Sequence, residues 1–559
     1  MFLSTCFKKF LQPRALFLGL IVFSVSAAHG RAVTYGNLSV GKFYNVSRAP
    51  HSSYPDRWAN DWCSGAKLTD EDTGIAWPLD QWVGWYDEGV YSLDIILDLG
   101  KVYEVDKLRI RLSSRQQYGI EFADSVQFYT RSDTSEQWQA YGSAVTNLEE
   151  SYSYQAQWVE QQAGTVNARY IKYELISPES AHMFISEIEA WGNIANSWKH
   201  VPDWGCYHGA YASNTNYWMS LGTFENQIQK QSSITLWYAS MGASNFKDYL
   251  GSLWKSQYGL TYNLDYSGAR LLEVGWEPQA NITAEDIAGG YYDQYFETFF
   301  TESIDYANRN GNTDPVWLRP MSEMNGGWTF PPNAAAWGGD HLNFRRAWRR
   351  MFNIAEQVGT EPHHIFVWSP NGYTYSSLHM PDNYYPGDQY VDWLGISIYP
   401  QGESPYPEDI LTGTAGPGSF DFYGTYGYKP IIISEGAYRL DSGIDGIEWI
   451  NQWFDLPYNY PMIKALVWFY IHDSETNSLV TEPYMSLYRR RLAEPYYLTQ
   501  SVAGVVDLDR DGFVNLCDYE GLAGNWGGNI SNLAGDITGN NTVNIEDLLI
   551  FSEYWLKNL

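Results

Sequence analysis

The chain has 559 residues, with 35 Lys or Arg against 65 Asp or Glu, and a formal net charge of -30 at pH 7. This length exceeds one ordinary domain, so two to four domains are expected. The charge argues against nucleic acid or an anionic membrane surface as a partner, because both polyanions would be repelled.

Aromatic residues make up 17% of the chain and charged residues 18%. Aromatic side chains are core material by default, but this excess favours a groove for a flat, partly apolar ligand such as a sugar ring. The cysteines are Cys6, Cys63, Cys206 and Cys517, scattered along the chain. They predict neither a disulfide framework nor a zinc site, because no pair has suitable spacing.

Residues 1–30 predict a secretory signal peptide. Basic Lys8, Lys9 and Arg14 precede an apolar run at 15–25, and small residues follow it. A membrane anchor is the alternative, but the run is shorter than the roughly 18 residues that a span requires. We therefore expect a secreted protein, extracellular or associated with the cell surface, with no membrane span.

Residues 33–193 predict an all-β sandwich, because apolar and polar side chains alternate in short runs separated by turns. These runs lie at 93–97, 107–112, 125–130 and 170–175. The segments KLTDEDTG (67–74), DIILDLGKVYEVDKLRIR (94–111) and ISEIEAWG (185–192) resemble a discoidin-type (coagulation factor 5/8 C-terminal) domain, a pattern that many carbohydrate-binding modules share. The resemblance implies glycan binding through loops at one end.

Five aromatic residues fall in the expected loops before the strand at 94–99: Trp62, Trp77, Trp82, Trp85 and Tyr86. We expect one or two of them to stack on a sugar and the others to pack in the core. A structural calcium loop near Asp70 is a further expectation.

Residues 197–495 predict a (β/α)8 barrel, because eight apolar strand-like runs alternate with helical patterns. The expected strands are 205–211, 234–239, 270–276, 316–321, 365–368, 393–398, 430–434 and 465–469, with helices such as 291–308 and 344–357. A doubly wound sheet is the structural alternative, but the first strand is not followed by a phosphate-binding glycine loop.

Two expected strands end in an isolated glutamate. The fourth strand reads VWLRPMSEMNGGW and leads to Glu323, whereas the seventh reads KPIIISEGA and leads to Glu435. Reactive side chains of such barrels stand at the carboxyl ends of strands, and strands four and seven face each other across the mouth. Two carboxylates about 5 to 5.5 Å apart suit a retaining glycosidase. One glutamate alone at a strand end is more often a surface or ion-pair residue.

An ordered series of motifs resembles glycoside hydrolase family 26: GWEP (275–278), IAGGYYDQYF (287–296), LRPMSEMNGGWTFP (318–331), FVWSPN (366–371), YYPGDQYVDWLGISIY (384–399) and KPIIISEGA (429–437). The resemblance implies Glu323 as the acid/base and Glu435 as the nucleophile. It also implies a β-linked polysaccharide as substrate, β-1,4-mannan first, cleaved internally. Members that act on mannan carry His directly before the acid/base, where this chain has Ser322.

Supporting residues are assigned as hypotheses. Arg319 is expected to pair with Glu435, and Tyr399 to hydrogen-bond it. Sugar contacts are expected from Asn325, Trp328, Trp276, Trp368 and Trp468, although each Trp can equally be barrel core. His208 is included as a candidate, but a lone His on a strand is more often structural. No cofactor is needed for this chemistry.

Residues 503–559 predict a small helical tail with two calcium loops. Metal-ligand positions 1, 3, 5, 9 and 12 of a calcium loop are filled first by Asp507, Asp509, Asp511, Asn515 and Asp518, and again by Asp536, Thr538, Asn540, Asn544 and Asp547. Each loop precedes an apolar helical run, at 519–526 and 548–556. Asp at position 12 resembles a type I dockerin, which implies a cohesin-type anchoring partner.

Three functions therefore stay open. The first is a secreted retaining β-mannanase, and the second is a β-1,3-xylanase or β-glucanase built on the same barrel. The third, from another class, is a non-catalytic glycan-binding or scaffold protein.

Overall fold

A computed structural model describes residues 33–56, 67–73, 81–195, 199–202, 205–214, 221–242, 271–279, 282–310, 315–326, 339–359, 363–374, 376–472, 481–494, 496–499, 516–528, 535, 537, 542–553 and 555. The expected signal peptide lies outside these residues. Among the helices of the described ranges, none combines the length and apolar character that a membrane crossing needs.

The first part of the chain forms an antiparallel sheet system with one apolar core. Its strands are β1 (Val33–Asn37), β2 (Tyr44–Val46), β3 (Val83–Trp85), β4 (Ser92–Ser114), β5 (Ser125–Arg131), β6 (Gln139–Thr146), β7 (Gln155–Gln161), β8 (Val166–Ile176) and β9 (Met183–Ala195). The sequence predicts two strands at 93–97 and 107–112, but both belong to β4. Gly100, with φ +87°, lies between its two halves.

The second part closes into an eight-stranded parallel barrel, as predicted. Its strands are β10 (Cys206–Asn214), β11 (Ile234–Met241), β12 (Leu271–Pro278), β13 (Val316–Pro320), β14 (His364–Trp368), β15 (Trp393–Ile398), β16 (Ile431–Gly436) and β17 (Ile463–His472). Neighbours in sequence are neighbours in space, and β10 pairs with both β17 and β11. A short strand, β18 (Tyr497–Leu498), adds to β10.

Helices cover the outside of the barrel: α1 (Leu221–Ile228), α2 (Ala284–Ala288), α3 (Asp293–Asn310), α4 (His341–Val358), α5 (Pro407–Leu411), α6 (Phe422–Tyr426), α7 (Gly446–Asn459) and α8 (Tyr484–Leu492). Short 3-10 turns lie at Lys67–Thr69, Gln116–Tyr118, Ser377–His379, Pro381–Tyr384, Asp388–Tyr390 and Leu440–Ser442. Asp340 caps α4 at its start by accepting from the Asn343 N–H at 3.0 Å.

Alternate residues of each barrel strand face opposite apolar layers. On β13, Trp317 belongs to the cluster that fills the barrel interior, whereas Leu318 belongs to the cluster between barrel and helices. On β10 the same alternation separates Tyr207 from Cys206. This inside-or-outside parity decides which side chains can reach the barrel mouth.

The sandwich contacts the barrel through an ion pair and hydrogen bonds with α4. The Lys42 ammonium, 2% exposed, lies 2.6 Å from a carboxylate oxygen of Glu356 and donates to Asn353 Oδ1 at 3.0 Å. Asn353 in turn donates to the Gly41 carbonyl at 2.6 Å. A buried ion pair is held by such added hydrogen bonds, so the two parts form one connected structure.

The loop near Asp70 belongs to the same contact. Asp70 Oδ2 lies 2.8 Å from Arg346 of α4, and Glu71 lies 2.9 Å from Arg349. Two ion pairs therefore join this loop to the barrel. The calcium loop near Asp70 stays a prediction.

The tail contains α9 (Leu516–Gly524) and α10 (Ile545–Glu553), close to the two expected helical runs. Leu522, Val543 and Phe551 are buried and belong to the same apolar cluster as the barrel interior. The dockerin-like assignment of this tail stays a prediction.

Candidate active site

The turn after β13 carries Glu323 in an unusual backbone conformation. Met321 and Glu323 have φ values of 50° and 55°, in the left-handed region that non-glycine residues adopt at a cost of about 1–3 kcal/mol. The Glu323 N–H donates to the Ser369 carbonyl at 2.8 Å, and the Met321 N–H donates to the Trp276 carbonyl at 3.0 Å. Backbone bonds to both neighbouring strands therefore hold Glu323 at the barrel mouth.

Glu435 reaches the mouth through a bulge in β16. Ile433 pairs with Ile396, but the next pair joins Glu435 to Ser397, so one residue is skipped. A bulge changes the direction of the side chains that follow it, which would otherwise alternate strictly between the two faces of the strand. Glu435 is only 6% exposed, and its carboxylate meets residues from β11, from β13 and from the end of β15.

The Glu435 carboxylate is held by one cation and two hydroxyls. Arg319, fully buried on β13, donates through Nη2 to Oε1, and the Tyr238 hydroxyl of β11 donates to the same oxygen. The Tyr399 hydroxyl donates to Oε2 at 3.1 Å. Tyr238 also accepts from Arg319 Nη2 at 3.0 Å. Such a group, oriented and charge-balanced, suits nucleophilic attack.

Glycine at position 275 makes room for this arrangement. A Cβ there would lie 2.7 Å from two carbons of the Tyr238 ring and 3.4 Å from Arg319 Nη2. Any side chain at position 275 would displace Tyr238. The lack of space therefore explains why the GWEP motif has glycine here.

Glu323 has a different environment from Glu435. Burial, and then the charge of Glu435, raise the pKa of Glu323 to about 7. Asn371 Nδ2 donates to Glu323 Oε1 at 3.0 Å. One carboxyl group that is protonated near neutrality therefore faces another that is paired with arginine, which is the division of roles expected of an acid and a nucleophile.

Two more glutamates lie on β12, Glu277 half-buried and Glu273 buried. Burial raises the pKa of Glu277, and Ser322 donates to its Oε1 over a long 3.4 Å. Glu273, deeper on the same strand, is fully buried, and burial raises its pKa to about 7. Ser322, the residue directly before Glu323, thus faces a carboxyl group.

The expectation that the three strand-end tryptophans, Trp276, Trp368 and Trp468, contact sugar is wrong. Trp276 stacks on Phe299 of α3 at 4.3 Å, and Trp468 meets Trp449 and Trp453 of α7 edge to face. Trp368 contacts Tyr385 and Tyr426 in the same outer layer. All three are fully buried between barrel and helices and cannot form the floor of a sugar groove.

The structure describes two of the remaining three candidate sugar contacts. Asn325 is buried and exchanges hydrogen bonds of 2.8 Å with the backbone of Asn371, so it supports the turn and does not face a sugar. His208 is 2% exposed and shares its strand face with Cys206 and Ala210, which belong to the outer core. Its assignment as a sugar contact is therefore wrong. Trp328 lies outside the described residues.

Sequence reasoning missed Tyr238, Asn371, Glu273 and Glu277 as site residues. Asn371 and Glu277 stand inside two quoted motifs, FVWSPN and GWEP, which was an available signal. Tyr238 and Glu273 lie within apolar strand runs where nothing in the local sequence marks them.

In the sandwich, Trp82 and Trp85 are fully buried and are core residues. Tyr86 is 40% exposed and lies 4.6 Å from the His182 ring, so it remains a candidate for stacking on a sugar. Trp62 and Trp77 are outside the described residues.

Of the ten expected calcium ligands, the described residues include Asp518, Asn544 and Asp547. Asp518 and Asp547 are fully buried, and Asp547 accepts from the Asn544 N–H at 2.7 Å. Within the described part of the chain, no three His, Cys, Asp or Glu side chains are grouped to hold a metal. The other seven expected ligands lie outside it: Asp507, Asp509, Asp511, Asn515, Asp536, Thr538 and Asn540.

Two family models match the chain. Residues 300–412 match the model described as Glycosyl hydrolase family 26, and residues 48–190 match the F5/8 type C domain. The first match covers β13 and Glu323, and the second covers most of the sandwich. Together with the relatives described next, these matches support a glycoside hydrolase with a discoidin-type domain.

Similar proteins include two curated enzymes. Endoglucanase H of Acetivibrio thermocellus is 26% identical over 38% of this chain and 23% of its own length. A mannan endo-1,4-beta-mannosidase of Bifidobacterium adolescentis is 26% identical over 22% of this chain and 12% of its own. The chain thus spans less than a quarter of either relative. Among solved structures, Bacillus subtilis mannanase BCman matches 54% of this chain and 88% of its own, with 17% identity and a TM-score of 0.36.

Proposed function

We propose that the chain is a secreted retaining glycoside hydrolase that cleaves a β-linked polysaccharide internally, with β-1,4-mannan as the first candidate substrate. The observation that carries the proposal is the contrast between two carboxyl groups at one barrel mouth. Glu323 has a pKa raised to about 7, whereas Glu435 is bonded to Arg319, Tyr238 and Tyr399.

In the first step, Glu435 attacks the anomeric carbon while Glu323 gives its proton to the departing glycosidic oxygen. The products are a glycosyl ester on Glu435 and a shortened chain. In the second step, Glu323, now ionised, takes a proton from water, which attacks the ester from the face that the leaving group vacated. The sugar keeps its anomeric configuration, and both glutamates return to their starting states.

Mannan is favoured because a relative named as a mannan endo-1,4-beta-mannosidase matches the chain and because of the family 26 match. A β-glucanase is the second candidate, because the other relative is named an endoglucanase. Ser322 in place of His also leaves β-glucan or β-1,3-xylan open as a substrate.

The test is hydrolysis of a panel of β-1,4-mannan, β-1,4-glucan, mixed-linkage β-glucan and β-1,3-xylan by the full chain. We expect one polymer to be shortened rapidly to mixed oligosaccharides, the pattern of internal cleavage. Glu297→Ala, an exposed change on α3, is the control and should match wild type. Inertness of the wild type on all four polymers would favour a non-catalytic glycan-binding protein instead.

Anomeric proton NMR of the earliest products tests the retaining step. The β-anomer should appear first and mutarotate later. Initial release of the α-anomer would refute the covalent intermediate.

The flanking parts are proposed to deliver the barrel to its substrate. The sandwich would bind glycan, the signal segment would direct export, and the tail would dock to a cohesin-type partner. Asp518 and Asp547, the residues expected at position 12 of the two loops, are both fully buried near the starts of α9 and α10.

Calcium is expected to protect the tail. In the full chain, added Ca²⁺ should slow proteolysis of residues after 503, and Asp518→Ala together with Asp547→Ala should remove this protection. Glu520→Ala, an exposed neighbour on α9, is the matched control. Equal cleavage with calcium and with chelator would contradict the metal assignment.

A further inference from the structure

A second carboxyl group lies against the arginine that holds Glu435. Glu273 on β12 and Arg319 on β13 both have no exposed surface, and Glu273 Oε1 is 3.7 Å from Arg319 Nε. Arg319 reaches Glu435 through a different nitrogen, Nη2. The guanidinium is thus shared between a carboxylate at the mouth and one deeper in the barrel.

Glu273 stands one layer below the reaction centre. It is two residues before Gly275 on the same strand, so both face the interior, and Gly275 lies against Tyr238 and Arg319. The register partner of Glu273 on β13 is Trp317, whose ring centroid lies 4.3 Å from that of Trp393, so an apolar layer begins at this level. A carboxyl group at this boundary is costly to bury, and apolar packing does not explain it.

Two serines lie on the polar side of this boundary. A Cβ at Gly395 would lie 2.6 Å from both Ser369 Cβ and Ser434 Oγ, so these two serines face each other across the glycine. Ser434 also lies near enough to Glu273 to lower its pKa against the larger effect of burial. Within the described residues, both Glu273 oxygens and Arg319 Nε and Nη1 lack hydrogen bonds of ordinary geometry. The long Nε–Oε1 approach is therefore the contact that Glu273 offers to Arg319.

We propose that Glu273 is a positioning residue for the reaction: from the layer below, it holds the Arg319 guanidinium in the orientation that presents Nη2 to Glu435. This inference rests on the proposed function, because it assigns Glu273 a role in keeping the nucleophile ready. Glu273 does not touch the substrate.

Charge balance agrees with this role. Two carboxyl groups share one arginine, and burial raises the pKa of Glu273 to about 7 while Arg319 opposes that rise. Below that pH Glu273 takes the proton and can still contact Arg319 through an oxygen. The positive charge of Arg319 is then balanced by Glu435, whose other partners are Tyr238 and Tyr399.

The test compares Glu273→Leu with Glu273→Gln. Leu removes the polar contact at similar volume, whereas Gln keeps an oxygen facing Arg319 without charge. We expect Leu to move the acid limb of the kcat/KM–pH profile upward by about one pH unit, because the Arg319 guanidinium is then less well oriented towards Glu435. Gln should leave that limb within about 0.3 unit of wild type. Glu187→Gln, at a buried carboxyl group of the sandwich, is the matched control and should leave the acid limb unmoved.

A folded Glu273→Leu enzyme with an unmoved acid limb would overturn the inference. Should that variant not fold, Glu273→Asp withdraws the carboxyl group by one methylene and is expected to give the same upward shift. A merely structural residue would lower the thermal midpoint without moving the limb.

A second readout does not require activity. The change in thermal midpoint caused by Glu435→Gln is measured in the wild-type background and again in the Glu273→Leu background, and coupling through Arg319 predicts unequal changes. Equal changes would overturn the positioning role even if the wild type cleaves no polymer. Inertness of the wild type on the panel would instead overturn the proposed function alone.

Discussion

Glu435→Ala should lower kcat on the preferred polysaccharide by roughly 10⁴- to 10⁶-fold, because no other group can form the glycosyl ester. KM should change far less, since Glu435 acts on the anomeric carbon and the binding subsites remain. Steady-state kinetics on the polymer and on an aryl glycoside with a good leaving group measure both constants. Circular dichroism checks that the barrel is intact.

Azide distinguishes loss of the nucleophile from loss of the fold. In Glu435→Ala the small anion can enter the space left by the carboxylate and attack an activated substrate from that face. The product should be the glycosyl azide of inverted configuration, with activity restored by azide in a concentration-dependent manner. The exposed variant Glu297→Ala should be unaffected by azide. Residual activity above about one per cent of wild type would contradict the assignment of Glu435.

Glu323→Gln is expected to lower kcat on polysaccharide by about 10²- to 10⁴-fold, the usual contribution of a general acid. The rate at which the glycosyl ester forms should fall much less when the leaving group needs no proton. The pH profile gives the sharper result. Burial and the charge of Glu435 raise the pKa of Glu323 to about 7, and the donor must be protonated. Wild-type kcat/KM should therefore fall as pH rises through about 7, and the variant should lose this limb.

Asn371→Ala offers a graded comparison for that prediction. Its amide donates to Glu323 Oε1 at 3.0 Å, which favours the ionised form. Removing the donor should raise the pKa of Glu323 and move the basic limb to higher pH. Azide should rescue Glu323→Ala with retained configuration, because it intercepts the glycosyl ester. A basic limb that persists unchanged in Glu323→Gln would mean that another group is the acid.

The barrel strands and both catalytic candidates were predictable because their signals are local. Apolar runs of four to seven residues alternate with helical patterns, and the predicted strand at 393–398 matches β15 at both ends. Glu323 and Glu435 interrupt such runs at strand ends, where polar residues are exceptional. The antiparallel sandwich was equally predictable from its alternation of apolar and polar side chains.

The direction of the tryptophans was not predictable. A barrel strand is buried on both faces. The local sequence around a Trp at the strand end is therefore equally apolar whether the side chain points to the mouth or to the helices. Trp276, Trp368 and Trp468 all point to the helices, where neighbouring aromatic rings surround them. The partners in that layer come from α3, the 385–426 region and α7, outside the strand segments that carry the tryptophans.

The amino-acid sequence by itself determined the order of parts, the eight strands and the two glutamates, since periodicity and strand-end chemistry are properties of short segments. Tertiary structure alone decided how those glutamates differ. Arg319, Tyr238 and Tyr399 reach Glu435 only because the barrel closes and strands two, four and six bring their side chains to strand seven. Burial at that same closure raises the pKa of Glu323 and places Glu273 beneath Arg319. The formal charge of -30 describes the chain as a whole, whereas the proposed chemistry depends on a few charges removed from water.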